Sequence, residues 1–399
     1  MRIIAPILAL LLAAASPALA QQPAVRTAGQ QYQNVTALKD IPATELIPAM
    51  RYMSTSLGVE CEFCHVGVRS QDTPGKVKAR EMIAMMTTIN NTHFGGRREL
   101  TCNGCHHGST RPEAAPEPTG QYSTMGVAPW FPYDGSPITG GRDVVMSDAY
   151  RAFMAKGGLL ADLPAVDQIL AKYVTALGGE QAIRRVNGRI ISGSAVMAGD
   201  VRGWPPLFTL TVQIASRAPN QWVMTTRGAT GATTANGFDG NVAWLQAANG
   251  NVTETTGPNN APLPPLARVR RNADFHEPLN LKQQYPQLTL QGIERVNGRD
   301  AYHLLGAPAG DAPEHLYFDV QSGLLARKTV VVRNVIGDYT IQTDYEDYRP
   351  TGGVKIPFRV STVGISPAES MVLTVEKVET NPTFDANRFA KPAPRVQGQ

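Results

Sequence analysis

Two copies of a C-x-x-C-H motif carry the clearest chemistry in the sequence. Their residues are Cys61, Cys64 and His65 in the first copy and Cys102, Cys105 and His106 in the second. Four cysteines in two such pairs are compatible with two disulfides, one four-thiolate zinc site or two haem attachment sites. Disulfides and zinc leave both histidines unused, whereas haem c uses all six residues, with two thioethers and one iron-ligating histidine per motif. We therefore expect two covalently attached haems c, with zinc and disulfides as the alternatives.

Methionine side chains are the candidates for the second axial ligand of each iron. A thioether opposite histidine raises the reduction potential and suits an electron carrier. The candidates are Met50 and Met53 before the first motif, and Met82, Met85 and Met86 before the second. Methionine at helical spacing more often fills a core, and positions 50 and 53 lie only about 60° apart around a helix. Spacing alone leaves the choice among them open.

A segment with helical periodicity precedes each motif. In the first segment, Gly58 is a natural C-terminal stop, and Pro48 predicts a late start or a kinked first turn. In the second segment, Thr73 is a candidate N-cap and Pro74 fits the first turn. The region thus uses one unit, a helix followed by C-x-x-C-H, twice.

The sequence around both motifs is similar to a known family. The segments AMRYMSTSLGVECEFCH, KAREMIAMMTTIN and LTCNGCHHG resemble the cytochrome c subunit of photosynthetic reaction centres, over residues 35–112. The resemblance implies that Met50 and Met82 are the sixth iron ligands and that each site forms next to its own motif. The family subunit carries four haems, so this chain resembles half of it, and His107 stands where the family usually has arginine. A dihaem cytochrome is implied, whereas photosynthesis is not.

Iron with both histidine and methionine ligands has no open position for peroxide or oxygen. This coordination favours electron transfer over catalysis at haem. We therefore expect an electron carrier rather than an enzyme, with a redox-protein donor and acceptor or a membrane electron-transfer complex as partners. The alternatives are a haem redox enzyme of the dihaem peroxidase class and a redox sensor that binds lipid or quinone.

The first 20 residues have the layout of a secretory signal peptide. They contain Arg2, an apolar run too short to span a membrane, and small residues at Ala18 and Ala20. Cleavage is expected after Ala20, and Gln21 at the new N-terminus does not allow lipid attachment to a cysteine there. We expect a soluble protein in the periplasm or outside the cell. The formal charge of +4 gives no indication of nucleic-acid binding.

The sequence predicts more than one domain. An α-helical dihaem cytochrome c domain is expected at 35–112 after a flexible lead at 21–34, and a Pro/Gly-rich linker with a short helix at 113–164. Residues 165–390 predict a mainly antiparallel β domain, a curved sheet or half-barrel with a few helices, followed by a tail at 391–399. Hairpin turns are indicated by Asn-Gly or Asp-Gly pairs that begin at Asn187, Asn236, Asp239, Asn249 and Asn297.

The β domain resembles the lipoprotein carrier superfamily of periplasmic lipid-binding proteins, beginning with ILAKYVTALGGEQAIRRVNGRIISGS. The resemblance implies a hydrophobic cavity and an apolar ligand. Aromatic side chains that could line such a cavity are Trp204, Trp222, Trp244, Phe208, Phe238 and Phe318. At strand positions, however, aromatic side chains are more often core. His276, His303 and His315 are scattered, without metal-ligand spacing.

Overall fold

A computed structural model describes the protein over residues 26–112, 148–198, 206–255, 266–309, 311–365 and 369–393. The predicted signal peptide, most of the predicted linker and the end of the predicted tail lie outside these residues. The α-helices are α1 (Ala28–Gln31), α2 (Leu46–Leu57), α3 (Pro74–Phe94), α4 (Cys102–His106), α5 (Asp148–Ala155), α6 (Val166–Leu177), α7 (Glu180–Arg185), α8 (Leu266–Asn272) and α9 (Glu277–Gln284). The strands are β1 (Gly188–Met197), β2 (Phe208–Arg217), β3 (Gln221–Arg227), β4 (Thr233–Phe238), β5 (Ala243–Gln246), β6 (Val252–Glu254), β7 (Gln287–Val296), β8 (Arg299–Ala307), β9 (Glu314–Asp319), β10 (Leu325–Val332), β11 (Tyr339–Thr351), β12 (Val354–Val363) and β13 (Met371–Thr380).

Local signals determine the ends of α2 and α3. Pro48 lies in the first turn of α2, where its missing N–H costs no intrahelical hydrogen bond, so the predicted late start is confirmed. Gly58 ends α2 in the left-handed conformation, with a φ of 63°. Thr73 caps α3, since its side chain accepts a hydrogen bond from the Lys76 backbone N–H at 3.3 Å.

The thirteen strands of the described residues form one sheet, in the order β6-β5-β4-β3-β2-β1-β13-β12-β11-β10-β9-β8-β7. Every neighbouring pair is antiparallel. Helix α6 contacts both β7 and β12, which lie five strand spacings apart. Five spacings span about 24 Å in a flat sheet, whereas a helix with its side chains is only about 10–12 Å wide. The sheet therefore curves around α6, as predicted.

Three of the five predicted hairpin signals lie at turns between strands. Asn297 joins β7 to β8 with a φ of 48° and is followed by Gly298 at 77°, the left-handed pair of a two-residue hairpin. Asp239 lies between β4 and β5, and Asn249 between β5 and β6. The other two assignments are wrong. Asn236 lies inside β4, where pairing to β3 and β5 extends the backbone, and position 187 connects a helix to a strand.

The helical region and the sheet share a buried contact. We name the buried set Ala49, Tyr52, Met86 and Ile336 the junction cluster, because Ile336 belongs to the β10–β11 connection and the others to α2 and α3. Gly337 approaches so closely that a Cβ there would lie 2.3 Å from atoms of the Tyr52 side chain. A hydrogen bond and an ion pair also join α2 to the β12–β13 connection. The predicted boundaries of the two domains remain predictions.

Among the described residues, the structure contains no helix that is both long and apolar enough to cross a membrane.

Candidate cofactor site

The first C-x-x-C-H motif forms a single helical turn. The backbone N–H groups of Cys64 and His65 both donate to the carbonyl of Cys61, at 3.2 and 2.9 Å. Residues at positions i, i+3 and i+4 of a helical turn lie on the same side of it. The two thiols and the imidazole therefore project from one face, which is the arrangement that attachment to a single haem requires.

The second motif repeats this arrangement in α4. Thr101 caps the helix, since its side chain accepts a hydrogen bond from the Gly104 N–H at 3.2 Å. His107 ends it with a φ of 47°, and its side chain is exposed. Cys102, Cys105 and His106 thus share one face of α4, in the same order as the residues of the first motif.

The environment of each motif histidine suits a metal ligand. Nδ1 of His106 lies 2.9 Å from the Ser109 carbonyl oxygen, which only accepts, so this nitrogen carries the proton and Nε2 keeps a free lone pair. Nδ1 of His65 is buried and makes no hydrogen bond of good geometry with the described residues, although the Arg69 backbone lies near enough to act on the ring. Burial lowers the pKa of His65, and the positive charges of Lys76 and Arg69 lower it further. Both side chains therefore fit the ligand set of haem c.

The N-terminus of α3 holds the first motif in place. The Thr73 hydroxyl donates to the Cys64 carbonyl at 2.9 Å, so the residue that caps α3 also anchors the motif. A Cβ at Gly75 would lie 3.2 Å from the Phe63 carbonyl oxygen and 3.4 Å from Cys64 Sγ. Lys76 Nζ donates to backbone carbonyls of the intervening loop. Position 75 thus needs a small residue because α3 begins directly against the motif.

Helix α2 packs against the second motif, although it precedes the first in sequence. The Gly108 N–H donates to the Ser56 carbonyl at 2.9 Å, and α2 and α4 are in contact. The Cys102 side chain packs against the junction cluster. Helix α2 therefore positions both motifs. The first motif follows α2 directly in the sequence, and the second packs against it.

Residues 9–124 match the family model of the photosynthetic reaction centre cytochrome C subunit. The N-terminal region is similar to this cytochrome family. The match confirms the resemblance expected from the two motifs. No curated protein matches the sequence significantly.

Solved structures are similar to the β domain. A LolA superfamily protein from Nitrosomonas europaea is 13% identical, with a TM-score of 0.39, and the match covers 57% of this chain and 99% of that one. A DUF1329 family protein from Desulfovibrio piger is 13% identical, with a TM-score of 0.38 and coverage of 57% and 98%. An outer membrane lipoprotein-sorting protein domain from Vibrio parahaemolyticus is 12% identical, with a TM-score of 0.37 and coverage of 53% and 94%. These matches agree with the resemblance noted from the sequence, and TM-scores this low say nothing about a ligand.

No disulfide joins the four cysteines of the two motifs, all of which the structure describes. Within the described residues, no three His, Cys, Asp or Glu side chains are grouped closely enough to hold a metal ion. The two cysteine pairs therefore do not converge on one site, and the four-thiolate zinc alternative lacks its geometry.

Burial separates the five candidate methionines. Met86 belongs to the junction cluster and Met53 packs against it, so core packing accounts for both. Met85 is 46% exposed on the outer side of α3. Met50 and Met82 are half-buried and lie outside the junction cluster. Their assignment as the sixth ligands stays a prediction, and these burial differences favour it.

A cavity of about 570 Å³ lies between the sheet and helices α6, α8 and α9. Its volume falls within the roughly 300–1,000 Å³ typical of ligand sites. Of the six aromatic residues proposed from the sequence, Trp222 lines it. Phe238, Phe318 and Trp244 are buried core instead, at 0, 0 and 2% exposure, and Phe208 is 55% exposed. Trp204 lies outside the described residues.

Sequence reasoning missed a histidine pair in the β domain. His303 on β8 and His315 on β9 are not scattered, because pairing of these strands brings His303 Nε2 within 2.8 Å of His315 Nδ1. His303 Nδ1 lies 2.8 Å from Glu294 Oε1 and donates to it, since a carboxylate only accepts. The alternation of both strands is the signal that could have revealed the pair, because it places both residues on the same face of adjacent strands.

This pair should make the β domain sensitive to acid. Burial, together with the neighbouring His303, lowers the pKa of His315 to about 4. Between about pH 6.5 and pH 4, the unfolded chain binds a proton that the folded protein excludes, so stability should fall as the pH falls through this range. Because His315 is partly exposed, we expect a loss of at most about 2 kcal/mol. Urea midpoints at pH 7 and pH 4.5 measure this loss of stability. His315→Phe should reduce the difference between the two midpoints, whereas His93→Gln, at an exposed site, should leave that difference unchanged.

Proposed function

We propose that this protein is a periplasmic electron carrier with two covalently bound haems c, each ligated by histidine and methionine, and with an accessory β domain. The observation that carries the proposal is the repeated one-turn geometry, in which each motif presents two thiols and one imidazole on the same face. The match of residues 9–124 to a cytochrome family supports it. The signal-like first 20 residues support export to the periplasm.

The chain's own residues would prepare each site for electron transfer. Haem iron supplies a one-electron couple when the group is bound. The Ser109 carbonyl holds the His106 ring in one tautomer and orientation, which makes Nε2 the iron-binding atom. Burial and the charges of Lys76 and Arg69 lower the pKa of His65, which favours the neutral form that binds metal. Met50 and Met82 would complete the two coordination shells and leave no open position for a substrate.

The β domain has a role of its own in this proposal, as a site for an apolar ligand or a partner. The cavity beneath α6, α8 and α9 supports the ligand role, because its walls are largely aliphatic and aromatic and its volume is that of a ligand site. The junction cluster supports a fixed arrangement of the two parts, since α2 packs on both the second motif and the β10–β11 connection.

Mass spectrometry of the mature protein, made in a host that attaches haem c, tests the cytochrome proposal. We expect a mass that exceeds the chain without residues 1–20 by two haems. We also expect a charge-transfer band from methionine to iron in the oxidised visible spectrum of both haems. A mature chain without bound haem overturns the proposal. A stable five-coordinate haem would favour the dihaem peroxidase alternative, because it offers a position for peroxide.

Substitution of Met50 tests the ligand assignment. Met50→Leu should abolish the charge-transfer band of one haem, about half of the total, and lower the reduction potential of that haem, because the thioether is lost. Met53→Leu is the matched control, since it changes a methionine that packs against the junction cluster. Loss of the band in the control and not in the Met50 variant would assign the ligand to Met53. Met82→Leu with Met85→Leu as control tests the second site in the same way.

A further inference from the structure

The wall of the β-domain cavity is mostly apolar, and its polar residues are Arg189, Ser216, Asn272, Asp274, Glu277 and Lys355. Side chains such as Leu177, Trp222, Val269 and Tyr345 form most of the lining. Arg189 on β1 lies directly opposite Ser216 on β2 in the register, and both line the cavity. Opposite residues of an antiparallel pair point to the same face. The guanidinium and the hydroxyl therefore lie side by side in the cavity wall.

Arg189 has no anionic partner among the described residues. It makes no hydrogen bond or ion pair with them, and its contact is a cation–π interaction, with Cζ 5.3 Å from the Phe275 ring centroid. Part of the side chain faces the cavity, but the surrounding protein displaces enough water to lower its pKa to about 10. The group is still charged at neutral pH.

Other buried cations of this domain are paired. Arg271 bonds to Asp311 and Glu314, and Lys328 lies 3.0 Å from Glu314. Arg327 forms a two-point pair with Asp344, at 2.6 and 2.9 Å. Buried charges in proteins are normally paired in this way, because an isolated charge loses its hydration without compensation. Arg189 departs from this pattern in a cavity that is large enough for a ligand.

Acidic residues of the cavity wall do not supply the missing charge. Asp274 accepts hydrogen bonds from Asn280 and Gln284, both at 2.8 Å. Glu277 lies 3.5 Å from Lys328, and burial is the one influence that shifts the Arg189 pKa. An anion that pairs with Arg189 must therefore enter with a ligand.

We propose that the cavity binds an amphiphile with one anionic head group, a carboxylate or a phosphate, whose head contacts Arg189 and Ser216 and whose tail fills the apolar part. A guanidinium suits both head groups, because its N–H donors match either in a two-point contact. This inference deepens the apolar-ligand role proposed above for the β domain and is independent of haem.

Binding of three probes with the same tail tests the proposal on the full-length, haem-loaded and delipidated protein. Calorimetry with dodecanoate, dodecyl phosphate and dodecan-1-ol should show at least one anionic probe binding ten-fold or more tighter than the alcohol. The stronger of the two anions identifies the head-group chemistry. Equal affinity for all three probes overturns the proposal but keeps the apolar-ligand role. No binding by any probe overturns both, whereas the haem spectrum of the same sample reports on the cytochrome proposal separately.

Arg189→Met separates a ligand contact from a structural role. We expect at least a ten-fold loss of affinity for the preferred anion, no loss for the alcohol, and a thermal midpoint no lower than that of the unsubstituted protein. Arg185→Met, at an exposed position of α7, is the control and should change none of these values. An Arg189 variant that binds the anion normally overturns the proposal. If that variant does not fold, Ser216→Ala and the probe selectivity of the unsubstituted protein provide the test.

Discussion

Replacing Cys102 and Cys105 together with alanine should remove one haem and weaken the contact between the two parts of the protein. Replacing Cys61 and Cys64 should remove one haem only. The difference follows from packing, because the Cys102 side chain lies against the junction cluster, whereas Cys61 is exposed. A cytochrome without thioethers cannot keep haem covalently, so each double variant should lose about half of the haem absorbance, given two attachment motifs.

Two measurements separate these effects. Mass spectrometry counts the haems that remain, and the thermal midpoint from circular dichroism reports on the junction. We expect the midpoint of the variant at positions 102 and 105 to be lower than that of the variant at positions 61 and 64. Equal midpoints would show that the second motif does not contribute to the junction, and two haems in either variant would contradict attachment through that motif.

The helices around the motifs were predictable because their signals are local. Thr73 and Pro74 begin α3 and Gly58 ends α2, and each acts through its own backbone preferences and its nearest neighbours. Strands of the sheet were predictable where alternation continues over many residues, as in β11 and β13. Strands β5 and β6 have four and three residues, too few for a pattern to show.

Contacts between distant parts of the chain were not predictable from the same signals. Nothing near Tyr52 in the sequence indicates that Gly337 leaves room for its ring. Helix α2 is next to the first motif in the sequence, but it also packs on the second motif. That packing depends on the path that the chain takes after α3. For the same reason, the opposition of Arg189 and Ser216 became visible only with the strand register. Such pairs are set by tertiary pairing, for which local propensity carries no information.

Glu314 is a buried charged residue at the centre of an ion-pair cluster of the β domain. Its side chain is 2% exposed, and its two oxygens contact three neighbours. Oε2 accepts from the Tyr285 hydroxyl at 2.5 Å and lies 3.0 Å from Lys328 Nζ, while Oε1 accepts from Arg271. Burial alone would raise the pKa of Glu314, but Lys328, Tyr285 and Arg271 together hold it below its ordinary value. The carboxylate is thus charged at neutral pH and balances two buried cations.

Glu314→Ala should lower the free energy of unfolding by up to about 3 kcal/mol, because Arg271 and Lys328 lose their shared partner and keep only Asp311 and Glu277. Urea unfolding followed by far-ultraviolet circular dichroism measures the loss. Glu180→Ala is the matched control, since this residue pairs with Arg184 at an exposed site and should change stability by less than about 1 kcal/mol. A loss no larger than in the control would show that Glu314 is not the counter-charge of this cluster.

A double variant distinguishes lost charge balance from lost packing. Adding Lys328→Met to Glu314→Ala removes one of the two cations that lose Glu314 as a partner and puts an apolar side chain in its place. If charge balance dominates, the double variant should be more stable than Glu314→Ala alone, because a buried pair can be exchanged for apolar groups at little cost whereas a lone charge cannot. If the cavity left by the glutamate dominates, the second substitution should not recover stability. The sign of the stability difference between the double variant and Glu314→Ala thus shows whether charge balance or side-chain packing contributes more at this site.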